Sequence, residues 1–322
     1  MPAVPQFPPR RQALHGGPRR VGIELEFSGL SGGEVAEQAR ELFGGAVEER
    51  DPYRHVVLGS SLGDLIVELD LRAAHPDNPQ GDSVGERVMQ AVHSAVGAVG
   101  SLIMPQEVVV PPLPIERLPE VDRLVEALRH QGAIGTRRNI LHAFGLHLNP
   151  EIAAADAGYL LDHLRAFALL SPWLRAVIEV NLSRRLSPFT RPYPPDYVRR
   201  LAQPDYRPDL RQLIADYLDA NPNRDRELDM LPIFVGLEPE LVMARASVDK
   251  VKARPTFHYR LPDSNVDQPG WGVVADWNRW VEVERLAADP PRLAALARTF
   301  AQDFQGTESP EWVGELQRRL AA

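Results

Sequence analysis

The chain has 322 residues, 44% hydrophobic and 25% charged, ordinary proportions for a globular protein with a real core. A formal charge of -8, with the basic residues scattered, argues against nucleic acid as a partner, because that binding rests mainly on phosphate neutralisation. The absence of cysteine excludes disulfides, thiolate metal sites and thiol catalysis and fits a cytoplasmic setting. No stretch approaches the roughly 20 apolar residues of a membrane-spanning helix, so no membrane partner is expected.

Residues 1–19 carry five prolines and are expected to form a poorly ordered tail. Residues 20–28 (RVGIELEFS) alternate in polarity and predict a strand. Residues 32–43 have Val35, Ala39, Leu42 and Phe43 at helical spacing, and Gly44-Gly45 stops that helix. Extended segments follow at 53–58 and 64–72. A helix is predicted over 83–103, with Ser83 and Glu86 as a capping box. Next come a strand at 105–110, a helix near 119–131, a strand at 142–148 and a helix at 155–170 that ends before Pro172. The stretch 186–209 is dense in proline and tyrosine and is expected to be a long ordered loop, which in a compact protein is usually functional. A strand at 255–261 and helices at 275–287, 291–304 and 309–320 complete the chain. Trp277 and Trp280, at i,i+3 in the first of these helices, read as packing residues. Several strands carry charge on alternate residues, which favours an α+β fold with an antiparallel sheet and one polar face.

Five short motifs could carry chemistry. In GIELEF, Glu24 and Glu26 are two residues apart on a strand, on one face and about 6.6 Å apart, so their carboxylates can converge on divalent ions. In DLIVELDLR, Glu68, Asp70 and Arg72 share a face, and Glu107 leads the apolar run EVVVPPL. GLHLNP places His147 and Asn149 on one face; neutral imidazole ligates divalent ions, and the amide can hydrogen-bond a substrate. Arg184 and Arg185 in NLSRRLSP, Arg191 in FTRP, and Arg260 in FHYRLPDS, two residues after His258, can bind phosphate or carboxylate. Each motif has a plainer reading: acids in water on an amphipathic strand, Glu68 paired with Arg72, a structural histidine, arginines paired with nearby acids.

The order of these motifs resembles the carboxylate–amine ligase superfamily, to which glutamine synthetase and glutamate–cysteine ligase belong, and within it the putative amidoligase family. The resemblance runs over roughly residues 20–270 in short blocks: an E-x-E strand, E-V-V-V-P-P-L, G-L-H-L-N, the arginine-proline loop, and H-Y-R-L-P-D. It implies a glutamine synthetase-like curved antiparallel sheet, a funnel with helices packed outside. Residues 20–322 would form one such catalytic domain, with 275–322 as a helical C-terminal segment. Glu24, Glu26, Glu107 and His147 would hold Mg2+ or Mn2+, with Glu68 and His258 as further candidates. Arg185 and Arg260 would bind substrate carboxylate or the phosphates of ATP, and Arg184, Arg191 and Asn149 would help hold the nucleotide.

The implied reaction is ATP-dependent joining of a carboxylate to an amine through an acyl phosphate, with small molecules or peptides as partners; oligomeric state stays open. Two positions depart from the glutamine synthetase pattern. His258 stands where E-x-R has its glutamate, and Arg191 stands where Y-E-A-P has the glutamate that helps deprotonate ammonium. The expected amine is therefore larger than ammonia. The alternatives are a metal-dependent hydrolase or transferase that uses no ATP, and a non-catalytic descendant that binds nucleotide or peptide.

Overall fold

The computed structural model describes residues 3–69, 105–138, 143–181, 184, 190–246, 251–303 and 310–321. The helix predicted over 83–103, as well as Asp70, Arg72 and Arg185, lies outside the described residues.

Eight strands form one antiparallel sheet: β1 Arg20–Phe27, β2 Ala46–Asp51, β3 Arg54–Ser60, β4 Gly63–Leu69, β5 Gln106–Pro114, β6 Leu146–Pro150, β7 Leu228–Asp229 and β8 His258–Tyr259. Their order across the sheet is β2-β3-β4-β5-β1-β6-β8-β7, so β1 sits inside it with β5 on one side and β6 on the other. Ten α-helices are described: α1 Gly32–Phe43, α2 Leu118–Gln131, α3 Ala157–Ile178, α4 Pro195–Ala202, α5 Leu210–Ala220, α6 Leu231–Leu237, α7 Pro239–Met243, α8 Val273–Ala287, α9 Pro290–Asp303 and α10 Pro310–Ala321. None of the described helices is long and apolar enough to cross a membrane.

Alternation along the strands divides the sheet into an apolar and a polar face. Ile23, Leu25 and Phe27 join Val108, Val110, Leu65, Val67, Leu146 and Leu148 in a core cluster with Val35 and Ala39 of α1 and with Leu124 and Leu128 of α2. α1 lies on β3 and β4, while α8 packs against α2 and α3. Trp277 and Trp280 are fully buried, the packing role their spacing predicts. Helix α1 starts at a capping box in which Ser31 and Glu34 satisfy each other's backbone N–H groups. At its far end the chain turns through Gly44 and Gly45. Gly45 has φ 92°, and a side chain there would meet the Leu58 carbonyl at 2.5 Å, so glycine is required.

Four expectations from the sequence need correction. Residues 195–202 form α4 inside the stretch expected to be a loop, because Pro195 occupies the first turn, where a missing N–H costs nothing. Helix α3 runs past Pro172 to Ile178. Pro172 deprives the Ala168 carbonyl of its helical donor, and the adjacent Leu169 carbonyl accepts from Trp312 Nε1 at 3.1 Å. The strand expected at 255–261 is reduced to two residues, flanked by isolated bridges at Thr256 and Asp263.

The N-terminal segment is the fourth correction, since it is docked on the helices instead of poorly ordered. The Trp277 indole donates to Gln6 O (2.8 Å), and Arg10 lies over the Tyr159 ring. Arg19 makes two 2.6 Å hydrogen bonds to Glu284, with side-chain exposures of 1% and 2%. Trp280 Nε1 donates to the same carboxylate at 2.8 Å. Burial pushes the Glu284 acid up, but the Arg19 charge and the His163 ring outweigh it and hold it at about 2.

Removing one partner of a buried pair strands the other, so Glu284→Gln is expected to cost about 3–5 kcal/mol in denaturant melts at pH 7. Because the folded protein lowers this group from 4.5 to about 2, its stabilising effect is complete above pH 4.5. It fades as pH falls toward 2, and the gap between wild type and variant should close over that window.

Candidate metal-binding active site

Register decides which side chains meet on the polar face. In the β1–β6 pairing Glu24 lies opposite His147 and Gly22 opposite Asn149. In the β1–β5 and β5–β4 pairings Glu26 lies opposite Glu107, and Glu107 opposite Glu68. β8 is short but pairs on both sides: Tyr259 opposes Leu148 of β6, and His258 opposes Asp229 of β7. Tyr259 therefore falls on the apolar face, and His258 and Arg260 fall beside His147.

These residues form two overlapping clusters, Glu24–His147–His258 and Glu26–Glu107–His147. In each, one candidate ligand atom per residue lies within 4.8 Å of the others. His147 Nδ1 is 3.0 Å from Glu24 Oε2, and its Nε2 is 3.6 Å from Glu26 Oε1. Asn149 Nδ2 donates to Glu24 Oε1 at 3.2 Å, and the Gly145 N–H donates to Glu26 Oε2 at 2.7 Å. His258 Nε2 is 3.8 Å from Glu24 Oε2, and the two imidazole rings meet edge to face with centroids 5.3 Å apart.

The electrostatics suit ligation. Burial favours the neutral acid at Glu24, but the hydrogen bond with His147 and the nearby His258 ring outweigh it and hold the carboxyl well below its usual range. Burial likewise pushes His147 down, against the pull of Glu26 and Glu24, so the ring is neutral near pH 7 and keeps a lone pair. Two buried polar atoms here, His258 Nε2 and Asn149 Oδ1, have no hydrogen-bond partner among the described residues. Glu26 also faces Glu107 directly, and like charges so placed repel. A divalent cation would relieve both problems, and the oxygen and imidazole donors suit one. The residues fit the ion.

The remaining residues named from the sequence are distributed unevenly. Glu68 lies in the same row as Glu107, but Arg54 takes its carboxylate at 2.5 Å, and Glu68 belongs to neither cluster. Arg72, the partner the sequence reading weighed for Glu68, lies outside the described residues. Arg260 is buried beside the clusters and donates to Arg224 O at 2.7 Å. Arg184 is bound inward, to the carbonyls of Ala143, Arg260 and Pro262, with Asp263 at 3.4 Å. Arg191 is exposed, and its backbone bridges to Arg226.

The family model described as "Putative amidoligase enzyme" matches residues 17–282. The chain belongs to that family. No curated protein matches the sequence. The matched span begins just before β1 and ends within α8, so it contains all eight strands and both clusters. Membership assigns the chain to a ligase-type, amide-forming class of enzyme.

Two residues of the candidate site, Asp229 and Arg254, carry no sequence signal of their own, and the role of a third, Gly145, is not visible from its motif. Asp229 stands on a two-residue strand too short for alternation to reveal. Arg254 places Nη1 3.5 Å from Glu24 Oε1 and follows no motif. Gly145, inside GLHLNP, passes close against His147 and Arg184. A Cβ there would lie 2.7 Å from Arg184 Nη1 and 2.9 Å from His147 Nε2.

Gly145→Ala is therefore expected to displace His147 or Arg184. It should cost about 1–3 kcal/mol by thermal melting, as overpacking does. Divalent-ion affinity, read by Mn2+ electron paramagnetic resonance, should fall in the same variant.

Proposed function

We propose that the protein is an ATP-dependent carboxylate–amine ligase. The observation that carries this reading is the convergence of Glu24, Glu26, Glu107 and His147 from three neighbouring strands within a chain of the amidoligase family. In this reading the sheet is the glutamine synthetase-like funnel, and its polar face is the reaction chamber.

Glu26, Glu107 and His147 would hold one Mg2+ or Mn2+ ion, with Glu24 and His258 offering ligands beside it. When bound, such ions would supply positive charge that screens the nucleotide phosphates during phosphoryl transfer. The protein's own part is positional. Arg254, part-exposed next to Glu24, would present its guanidinium to anionic oxygens of nucleotide or substrate, and the buried Arg260 would add positive charge beside the clusters. A substrate carboxylate oxygen attacks the γ-phosphorus of ATP and ADP departs, leaving an acyl phosphate. The amine nitrogen then attacks the acyl carbon, inorganic phosphate leaves, and the nitrogen loses a proton as the amide forms. Arg191 stands where glutamine synthetases have the glutamate that helps deprotonate ammonium, which favours an amine larger than ammonia.

The test is phosphate release from ATP with Mg2+ or Mn2+ across a panel of amino acids and peptides. Glu24→Ala and Glu26→Ala should each lower the rate about a hundredfold or more, the scale of losing a group that stabilises transition-state charge. Hydroxylamine should trap the acyl phosphate as a hydroxamate. Turnover of an amide or ester without nucleotide would instead identify a hydrolase, and nucleotide binding without product from any pair would identify a non-catalytic binder. Turnover with ammonia alone would refute the larger amine.

A further inference from the structure

Asp229 has no part in the reaction above, yet it is fully buried against the site. Its Oδ1 accepts from the Leu231 N–H at 2.9 Å. Its Oδ2 faces His258 Nδ1 at 3.3 Å and Arg224 Nε at 3.2 Å. With the Leu231 N–H on one oxygen and the Arg224 guanidinium on the other, Asp229 is placed as an acceptor, and its hydrogen bond with His258 then puts a proton on Nδ1.

Nε2 is then left with the lone pair. That nitrogen is buried, has no hydrogen-bond partner among the described residues, and faces Glu24 Oε2 across 3.8 Å. Two electron-rich atoms face each other in a largely buried site, an arrangement that a cation between them would satisfy. The neighbouring ring repeats the pattern: His147 directs Nδ1 to Glu24 and Nε2 toward Glu26. Carboxylates that fix a ligating imidazole from behind raise its basicity and set its tautomer. In the glutamine synthetase pattern this position is a glutamate, a hard oxygen donor; here it is an oriented nitrogen.

We propose that Asp229 is a positioning residue that fixes His258 as an Nε2 ligand, so that the Glu24–His258 side of the site selects a nitrogen-preferring transition-metal dication over Mg2+. The inference rests on the metal-binding reading of the site. Imidazole favours ions such as Co2+ and Zn2+, whereas the carboxylates of Glu26 and Glu107 serve Mg2+ equally well.

The experiment measures Co2+ and Mg2+ affinities of the full chain by calorimetry, for wild type, Asp229→Asn and His258→Glu. In Asp229→Asn the amide N–H faces the ring and moves its proton to Nε2. Co2+ affinity should then fall about 10–100-fold, the scale of losing such a partner, with Mg2+ affinity little changed. In the metal-free proteins, two-bond 15N–1H correlation should show the His258 proton on Nδ1 in wild type and on Nε2 in the variant. His258→Glu should shift the Co2+/Mg2+ affinity ratio toward Mg2+ by about tenfold or more. It carries the test alone if Asp229→Asn does not fold. An unchanged ratio in the folded variants would overturn the proposal while leaving the ligase reading intact. If wild type binds neither ion, both fall together.

Discussion

The site depends on strand register. Side chains alternate faces with a period of two, so a one-residue slip of β1 would send Glu24 and Glu26 into the core and Ile23, Leu25 and Phe27 onto the polar face. The core cluster prevents this: those three residues are at most 1% exposed and pack against α1 and α2. Hydrophobic burial on one face therefore aligns the carboxylates on the other. The same constraint passes outward from β1, since Glu26 fixes its opposition to Glu107 through β5 and Glu24 its opposition to His147 through β6.

That dependence explains how much the sequence reveals. E-x-E and H-x-N are legible because they lie on strands long enough for alternation to be visible, and antiparallel pairing does the rest. His258 and Arg260 are legible only by resemblance to a family motif, because β8 is two residues long and owes its existence to pairing with β6 and β7. Asp229 has neither a pattern nor a motif. Glu68 shows the opposite error: its strand and face are as expected, but Arg54, directly across on β3, takes its charge. Cross-strand partners are chosen by register between segments, which no single segment encodes. The docked N-terminal segment belongs to the same class. Its prolines and arginines look like a tail until Glu284, more than 260 residues away in sequence, is placed against Arg19.

Charge also separates the two kinds of arginine. Arg184 spends its donors on backbone carbonyls and lies beside Asp263, holding the segment that follows α3 against the end of β8. An arginine so engaged acts on a ligand only through the frame it holds. Arg254 is 39% exposed and touches Glu24 from the open side. An exposed guanidinium can exchange partners when an anion arrives, because its present pairing is weakened by solvent. Sequence runs of arginine do not distinguish these fates; burial does.

The closest contacts on the polar face link carboxylate and imidazole in turn: Asp229 to His258, His258 to Glu24, Glu24 to His147 and His147 to Glu26, which lies opposite Glu107. An imidazole with its proton on one nitrogen has a lone pair on the other, so each link passes a direction along these contacts. Asp229 takes the proton side of His258, and Glu24 takes the proton side of His147, leaving the second nitrogen of each ring turned toward the next carboxylate. On the proposed reading, His258 would offer nitrogen where the glutamine synthetase pattern offers a carboxylate oxygen, and Asp229 would place a negative charge directly behind the ring. The donor atom would then change while the charge facing a cation stayed similar, so that ion preference and charge demand would be set by different residues.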